Sequence, residues 1–240
     1  MATYIMGDIH GCYQEYRALL EQIGFSLDDD LYVLGDAVDR GPEPIRVLLD
    51  LMERPNVFYI RGNHDEMLLR CMEKLAVEIT EESIERLTQQ DLELYQVWIN
   101  NGGRVTESQF RKQPKEQQAA ILEYLNESST AETVEHDGVL YVMVHGGLGN
   151  FSPNKELEDY TPEELMWSRA HYYREYFPGK PVVLVTGHTP TPVIAGHKKA
   201  EVYQKNGHLA LDCGCVFGGT LAAYCVETGQ VFYQPCQFID

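Results

Sequence analysis

Short apolar runs alternate with stretches of helical period over the first third of the chain. Thr3–Met6 is a short run that ends on Gly-Asp. Tyr13, Tyr16, Leu19, Leu20 and Ile23 then recur at helical spacing, and Gly24 supplies a stop. Leu31–Leu34 is a second run, again closing on Gly-Asp. Pro42 opens a helix that carries Ile45, Leu48, Leu49 and Met52 on one face. Val57–Ile60 is a third strand and ends on Arg-Gly-Asn-His. The pattern predicts a βαβαβ unit with polar residues at the carboxyl end of each strand, the edge where α/β sheets bind ligands.

Residues 66–135 change character. They are charged and Gln-rich, with helical periodicity and no convincing strand, and predict a mainly helical insertion that packs on the α/β unit and shapes access to it. Its acidic faces read as solvated surface, and Tyr95, Trp98 and Tyr124 read as core. Strands resume at Val139–Val144, closing on His-Gly-Gly, and at Val182–Thr186, closing on Gly-His-Thr-Pro. Leu209–Asp212, Leu221–Val226 and Val231–Tyr233 follow without helices between them, which predicts antiparallel pairing, with Thr228-Gly229 as a hairpin turn. No repeat, low-complexity tract or linker interrupts the pattern, so a single domain over 1–240 is expected.

Charge narrows the partners. With 19 basic and 37 acidic residues the net charge is −18. Such a surface repels phosphate backbones and anionic membranes, and predicts neither stable nucleic-acid binding nor membrane association. A chain this acidic must concentrate positive charge in one place to handle phosphate, and metal ions would supply it. The start, MATYIMGDIHG, lacks the basic and long apolar regions of a signal peptide, and a cytoplasmic location is expected. Six cysteines are too sparse for a disulfide scaffold. Cys213-Gly214-Cys215 has no partner pair, so reduced thiols are expected rather than structural zinc, and Cys12 reads as a packed small residue.

Five strand ends carry residues suited to metal ligation: Gly7-Asp8-Ile9-His10-Gly11, Gly35-Asp36, Gly62-Asn63-His64, His145-Gly146 and Gly187-His188. Singly, each reads as a turn or a structural histidine. Together, at one sheet edge, Asp8, His10, Asp36, Asn63, His145 and His188 make a mixed oxygen and nitrogen set without thiolate. That set suits Mn²⁺, Fe or Zn²⁺. Two ions sharing one carboxylate would form a two-metal hydrolytic site.

These blocks, with Gly35-Asp36-Ala37-Val38-Asp39-Arg40-Gly41, Gly62-Asn63-His64-Asp65 and His145-Gly146-Gly147-Leu148, resemble the calcineurin-like metallophosphoesterases. Within these, the chain is similar to the bacterial branch of the phosphoprotein phosphatases that act on phosphoserine and phosphothreonine. The resemblance implies an α/β sandwich of two mixed β-sheets flanked by helices. It also implies roles. Asp8, His10 and Asp36 would hold a first divalent ion, with manganese expected. Asp36 would bridge to a second, held also by Asn63, His145 and His188. Arg40 and, in Trp167-Ser168-Arg169, Arg169 would bind substrate phosphate. His64, supported by Asp39, would be the general acid. The family usually reads Gly-Asn-His-Glu, whereas Asp65 stands last here, a form found in bacterial relatives that include diadenosine tetraphosphate hydrolases.

Metal ligation lowers the pKa of water toward neutrality and supplies a nucleophile for in-line attack. An alkoxide leaves poorly, so an imidazolium at His64 would protonate it. The leading expectation is therefore a serine/threonine protein phosphatase acting on a phosphoprotein or phosphopeptide, because Asp39-Arg40-Gly41 is kept. The first alternative is hydrolysis of diadenosine tetraphosphate or related dinucleoside polyphosphates. A non-catalytic phosphoprotein-binding module is a third class, disfavoured because no ligand is lost.

Overall fold

The computed structural model describes residues 1–75 and 87–237. Strands β1 (Thr3–Met6), β2 (Asp30–Val33) and β3 (Val57–Tyr59) lie parallel, linked by α1 (Tyr13–Ile23) and α2 (Pro44–Met52). Two late strands, β9 (Thr220–Cys225) and β10 (Val231–Pro235), extend this sheet antiparallel on the β1 side, giving the order β10-β9-β1-β2-β3. A second sheet has the order β4-β5-β6-β8-β7, formed by β4 (Ala131–His136), β5 (Val139–Val144), β6 (Val182–Thr186), β7 (Tyr203–Lys205) and β8 (His208–Ala210). Here β5, β6 and β8 run parallel, and the edge strands β4 and β7 run antiparallel.

The sheets pack face to face because their strands are apolar on both sides. Ile5, Tyr32, Met143, Val185, Leu209 and Tyr224 meet between the sheets. Their neighbours Tyr4, Met6, Leu31 and Val33 face outward onto Leu19, Leu48 and Leu68 of the helices. On the far face, Val142, Val144 and Leu184 pack on Tyr160, Leu165, Tyr172 and Tyr176. Alternation of period two is thus hidden inside continuous apolar runs, as expected of strands covered on both faces.

The insertion is built from α3 (Asn63–Leu75), α4 (Gln89–Trp98), α5 (Arg104–Phe110) and α6 (Lys115–Glu127). The part of that expectation falling on 76–86 lies outside the described residues. Thr88 caps α4 reciprocally with Asp91. Trp98 is fully buried, whereas Tyr95 and Tyr124 pack only partly against the core.

Two expectations are corrected. The 66–135 stretch does contain a strand, β4. It is an edge strand with exposed Thr133 and Glu135, so only half its sequence carries an apolar signal. In the tail, β9 and β10 pair antiparallel as expected, but β8 lies in the other sheet, parallel to β6. Among the described residues, no helix is long and apolar enough to cross a membrane.

Candidate active site

The carboxyl ends of β1, β2, β3, β5, β6 and β8 converge where the two sheets meet. Asp8 follows β1, Asp36 follows β2, Asn63 and His64 open α3 after β3, His145 follows β5, and His188 follows β6. The structure brings all six predicted ligands together. Oδ2 of Asp36 lies 3.5 Å from His10 Nε2 and 3.3 Å from His145 Nε2. Oδ1 of Asn63 is 3.0 Å from the same His145 nitrogen. The backbone N–H of His188 donates to both oxygens of Asp8, at 3.0 and 3.1 Å.

Two sets of ligand atoms each fit within 4.8 Å, and Asp36 belongs to both: His10, Asp36 and His64 on one side, Asp36, His145 and His188 on the other.

The backbone is distorted to reach this arrangement. Eight non-glycine residues have positive φ among those described, and five are His10 (44°), Asp36 (49°), Asp39 (72°), Arg40 (68°) and His188 (61°). Each such residue costs about 1–3 kcal/mol, a cost that surrounding structure sustains mainly at functional sites. Close approach also demands glycine. A Cβ on Gly62 would lie 2.2 Å from Asp36 Oδ1, and one on Gly187 would lie 2.1 Å from Asp8 Oδ1.

The donor chemistry fits divalent cations. His145 donates Nδ1–H to the Leu34 carbonyl at 2.6 Å, so in the neutral ring a bare Nε2 lone pair faces two oxygens. Burial alone would lower the His145 pKa, yet the Asp36 carboxylate raises it to about 10. His10 likewise donates Nδ1–H to Val38 at 2.7 Å and turns Nε2 inward, where the Arg40 guanidinium meets it. Burial and the Arg40 charge hold His10 well below its usual range, leaving it a neutral donor. Burial and the charge on His145 lower His188 to about 3.

Asp39 and His64 form a second unit. Asp39 Oδ2 lies 2.6 Å from His64 Nδ1. The carboxylate also accepts from Trp98 Nε1–H, at 2.9 and 3.1 Å, and from the Thr106 hydroxyl at 2.6 Å. Arg40 reaches His64 Nε2 at 2.7 Å, and its own N–H bonds the Gly102 carbonyl at 3.1 Å. The insertion therefore holds Asp39 and Arg40 in place. Arg169 sits at the rim instead, donating to Thr189 Oγ1 at 3.0 Å beside His188.

Sequence reasoning missed several positioning groups. Asp65 accepts from the N–H groups of Asp36 and Gly62, both at 2.8 Å, and from the Tyr59 hydroxyl at 2.6 Å, so it ties the second and third loops together. Burial and the Asp36 charge raise its pKa to about 6. Asp212, at the end of the β8 segment, is buried near Asp8 and accepts from Gly214 N–H at 2.9 Å. Its place after an apolar run repeats the signature of Asp8 and Asp36 and was open to recognition. Nothing in the sequence pairs Trp98 or Thr106 with Asp39, residues 59 and 67 positions away.

A family model described as calcineurin-like phosphoesterase matches residues 1–223. The chain belongs to the calcineurin-like phosphoesterase family. Within it, the chain is 28% identical to the symmetrical bis(5'-nucleosyl)-tetraphosphatase of Chromobacterium violaceum, over 99% of this chain and 96% of that one. It is 25% identical to the asymmetrical bis(5'-nucleosyl)-tetraphosphatase of a Geobacillus species, over 93% and 90% respectively. The fold of this phosphoesterase also matches a protein serine/threonine phosphatase from Saccharomyces cerevisiae, with TM-score 0.66 and 14% identity over 100% of this chain and 81% of that one. The last likeness speaks to fold alone.

Proposed function

We propose that this phosphoesterase hydrolyses dinucleoside polyphosphates. The observation that carries the reading is near full-length likeness to two kinds of bis(5'-nucleosyl)-tetraphosphatase, each aligned over more than nine-tenths of the chain. It puts the alternative drawn from the sequence ahead of the protein phosphatase.

In this reading Asp8, His10 and Asp36 would hold one divalent ion, and Asp36, Asn63, His145 and His188 would hold a second, with manganese the expected metal. When bound, the ions supply Lewis acidity toward phosphoryl oxygens and lower the pKa of coordinated water. The protein's own groups do the rest. Arg40, fixed by Gly102 and stacked near Phe217, forks onto non-bridging oxygens and sets the phosphate for in-line attack. His64, oriented by Asp39, holds the proton that the departing oxygen takes. Arg169 steadies the next phosphate outward from His188.

A phosphomonoesterase of the protein phosphatase kind stays as second reading, favoured by the Asp39–His64 pair. General acid catalysis matters most when a poor alkoxide leaves, and a polyphosphate needs it less. Turnover of diadenosine tetraphosphate and of a phosphoserine peptide by the manganese-reconstituted protein, side by side, separates the two.

A further inference from the structure

A cleft of about 510 Å³ opens on the outer side of Arg169. Arg169 and Thr189 line it together with Tyr172, Tyr173, Val193 and Ile194 and four smaller or flanking residues that include His171. Three features set it apart. Its volume falls within the range of small-molecule sites, mostly apolar with a few placed polar groups. No carboxylate lines it, in a chain with 37 acidic residues. It adjoins the candidate active site, because two of its lining residues, Arg169 and Thr189, are hydrogen-bonded at 3.0 Å and Thr189 directly follows His188.

Part of the exposed apolar surface of the protein lies at the cleft and beside the two candidate phosphate-binding arginines. Nine large hydrophobic residues are exposed among those described, and four of them are Trp167, Tyr173, Val193 and Phe217. Tyr173 and Val193 belong to the cleft, Trp167 is two residues before Arg169, and Phe217 faces the Arg40 guanidinium at 5.2 Å. Tyr173 is 69% exposed, yet it is not free to swing, because its hydroxyl donates to the Ala195 carbonyl across the cleft. A pinned, solvent-facing ring loses little entropy on stacking.

We propose that this cleft seats the nucleoside end of the substrate, with the Tyr173 ring as the stacking face for the base and Arg169 as the contact to the first phosphate beyond it. The proposal rests on the dinucleoside polyphosphate reading and adds a location to it. A ligand that is anionic at its centre and flat and apolar at its end matches an arginine beside an acid-free aromatic cleft. Base–aromatic stacking tolerates any base, so the seat would read the presence of a base rather than its identity.

The test measures competitive inhibition of p-nitrophenyl phosphate turnover by ADP and by inorganic pyrophosphate, using the manganese-loaded full chain. Both inhibitors offer two phosphates, and only ADP carries a nucleoside. Wild type should bind ADP about tenfold or more tighter than pyrophosphate, the gain expected of one stacked base. Tyr173→Ala should abolish most of that advantage. Tyr173→Phe, which keeps the ring and loses the bond to Ala195, should retain the larger part of it. Equal inhibition in wild type, an advantage that survives Tyr173→Ala, or equal loss in both variants would overturn the seat. Diadenosine tetraphosphate turnover by wild type is followed in parallel. Turnover with an ADP advantage insensitive to Tyr173 overturns the seat and leaves the functional reading standing. A Tyr173-dependent advantage without turnover supports a nucleotide seat and overturns that reading.

Discussion

Asp39 Oδ2 lies 2.6 Å from His64 Nδ1, and both side chains are buried. The carboxylate fixes the ring so that Nε2 faces Arg40 and the cluster of His10 and Asp36. Once the Arg40 guanidinium turns to a phosphate oxygen, Nε2 is free to carry a proton to a leaving oxygen.

Leaving-group chemistry isolates that role. His64→Asn should lower kcat on a phosphoserine peptide by about 10²–10⁴-fold, the usual contribution of general acid catalysis. On p-nitrophenyl phosphate, whose phenolate departs unprotonated, the loss should be far smaller. Bound metal, measured by elemental analysis, should not change. Equal losses on both substrates, or a fall in metal content, would assign His64 to the metal instead.

Trp98 and Thr106 should act through the same pair. Trp98→Phe keeps a buried aromatic and removes one of the donors to Asp39. We expect the selectivity of His64→Asn in weaker form, with a stability cost of about 1–3 kcal/mol for an underbonded buried acceptor. Unchanged activity on the peptide would show that the insertion does not orient the dyad.

Asp36 is common to both ligand sets, so Asp36→Asn should reduce bound metal from two equivalents toward none. His10→Ala should spare the other site. Gly62→Ala should mimic Asp36→Asn, because its Cβ would displace the Asp36 carboxylate. Two full equivalents in Asp36→Asn would remove the bridging assignment.

Away from the cleft, Asp50 joins α1 to α2. It accepts from Arg54 at 2.5 Å, Arg17 at 2.9 Å and Tyr16 at 3.1 Å. Burial alone would raise its pKa, but the hydrogen bonds from Arg54 and Arg17 hold it below the usual carboxylate range. A depressed carboxylate stabilises the fold above its unfolded pKa of about 3.9, and the gain disappears as pH falls through the folded value. Asp50→Ala should therefore cost about 1–3 kcal/mol in urea unfolding at pH 7, and the gap to wild type should close at acid pH. A gap independent of pH would mean that packing, not charge, accounts for it.

Much of this site was legible because its chemistry sits in short local blocks. Asp8 and His10 share one loop, and Asn63 and His64 are adjacent, so strand ends and glycines marked them directly. The sandwich followed from the family likeness, and the first three parallel strands from alternating apolar runs and helical periods. What sequence could not give was contact across distance. Asp39 meets Trp98 and Thr106 only because the insertion folds back over the second loop, and periodicity reports a helix but not its target. β4 escaped because Glu132 and Glu135 dilute its apolar pattern. Nor does any sequence pattern announce that Tyr173, Val193 and Phe217 are exposed.

Hydrolysis of dinucleoside polyphosphates is tested by kcat/KM on diadenosine tetraphosphate and on a phosphoserine peptide with the same manganese-loaded protein, pH and salt. The dinucleotide should be favoured by at least about tenfold, or about 1.4 kcal/mol in transition-state stabilisation. A peptide turned over more efficiently than the dinucleotide would contradict it and restore the protein phosphatase reading.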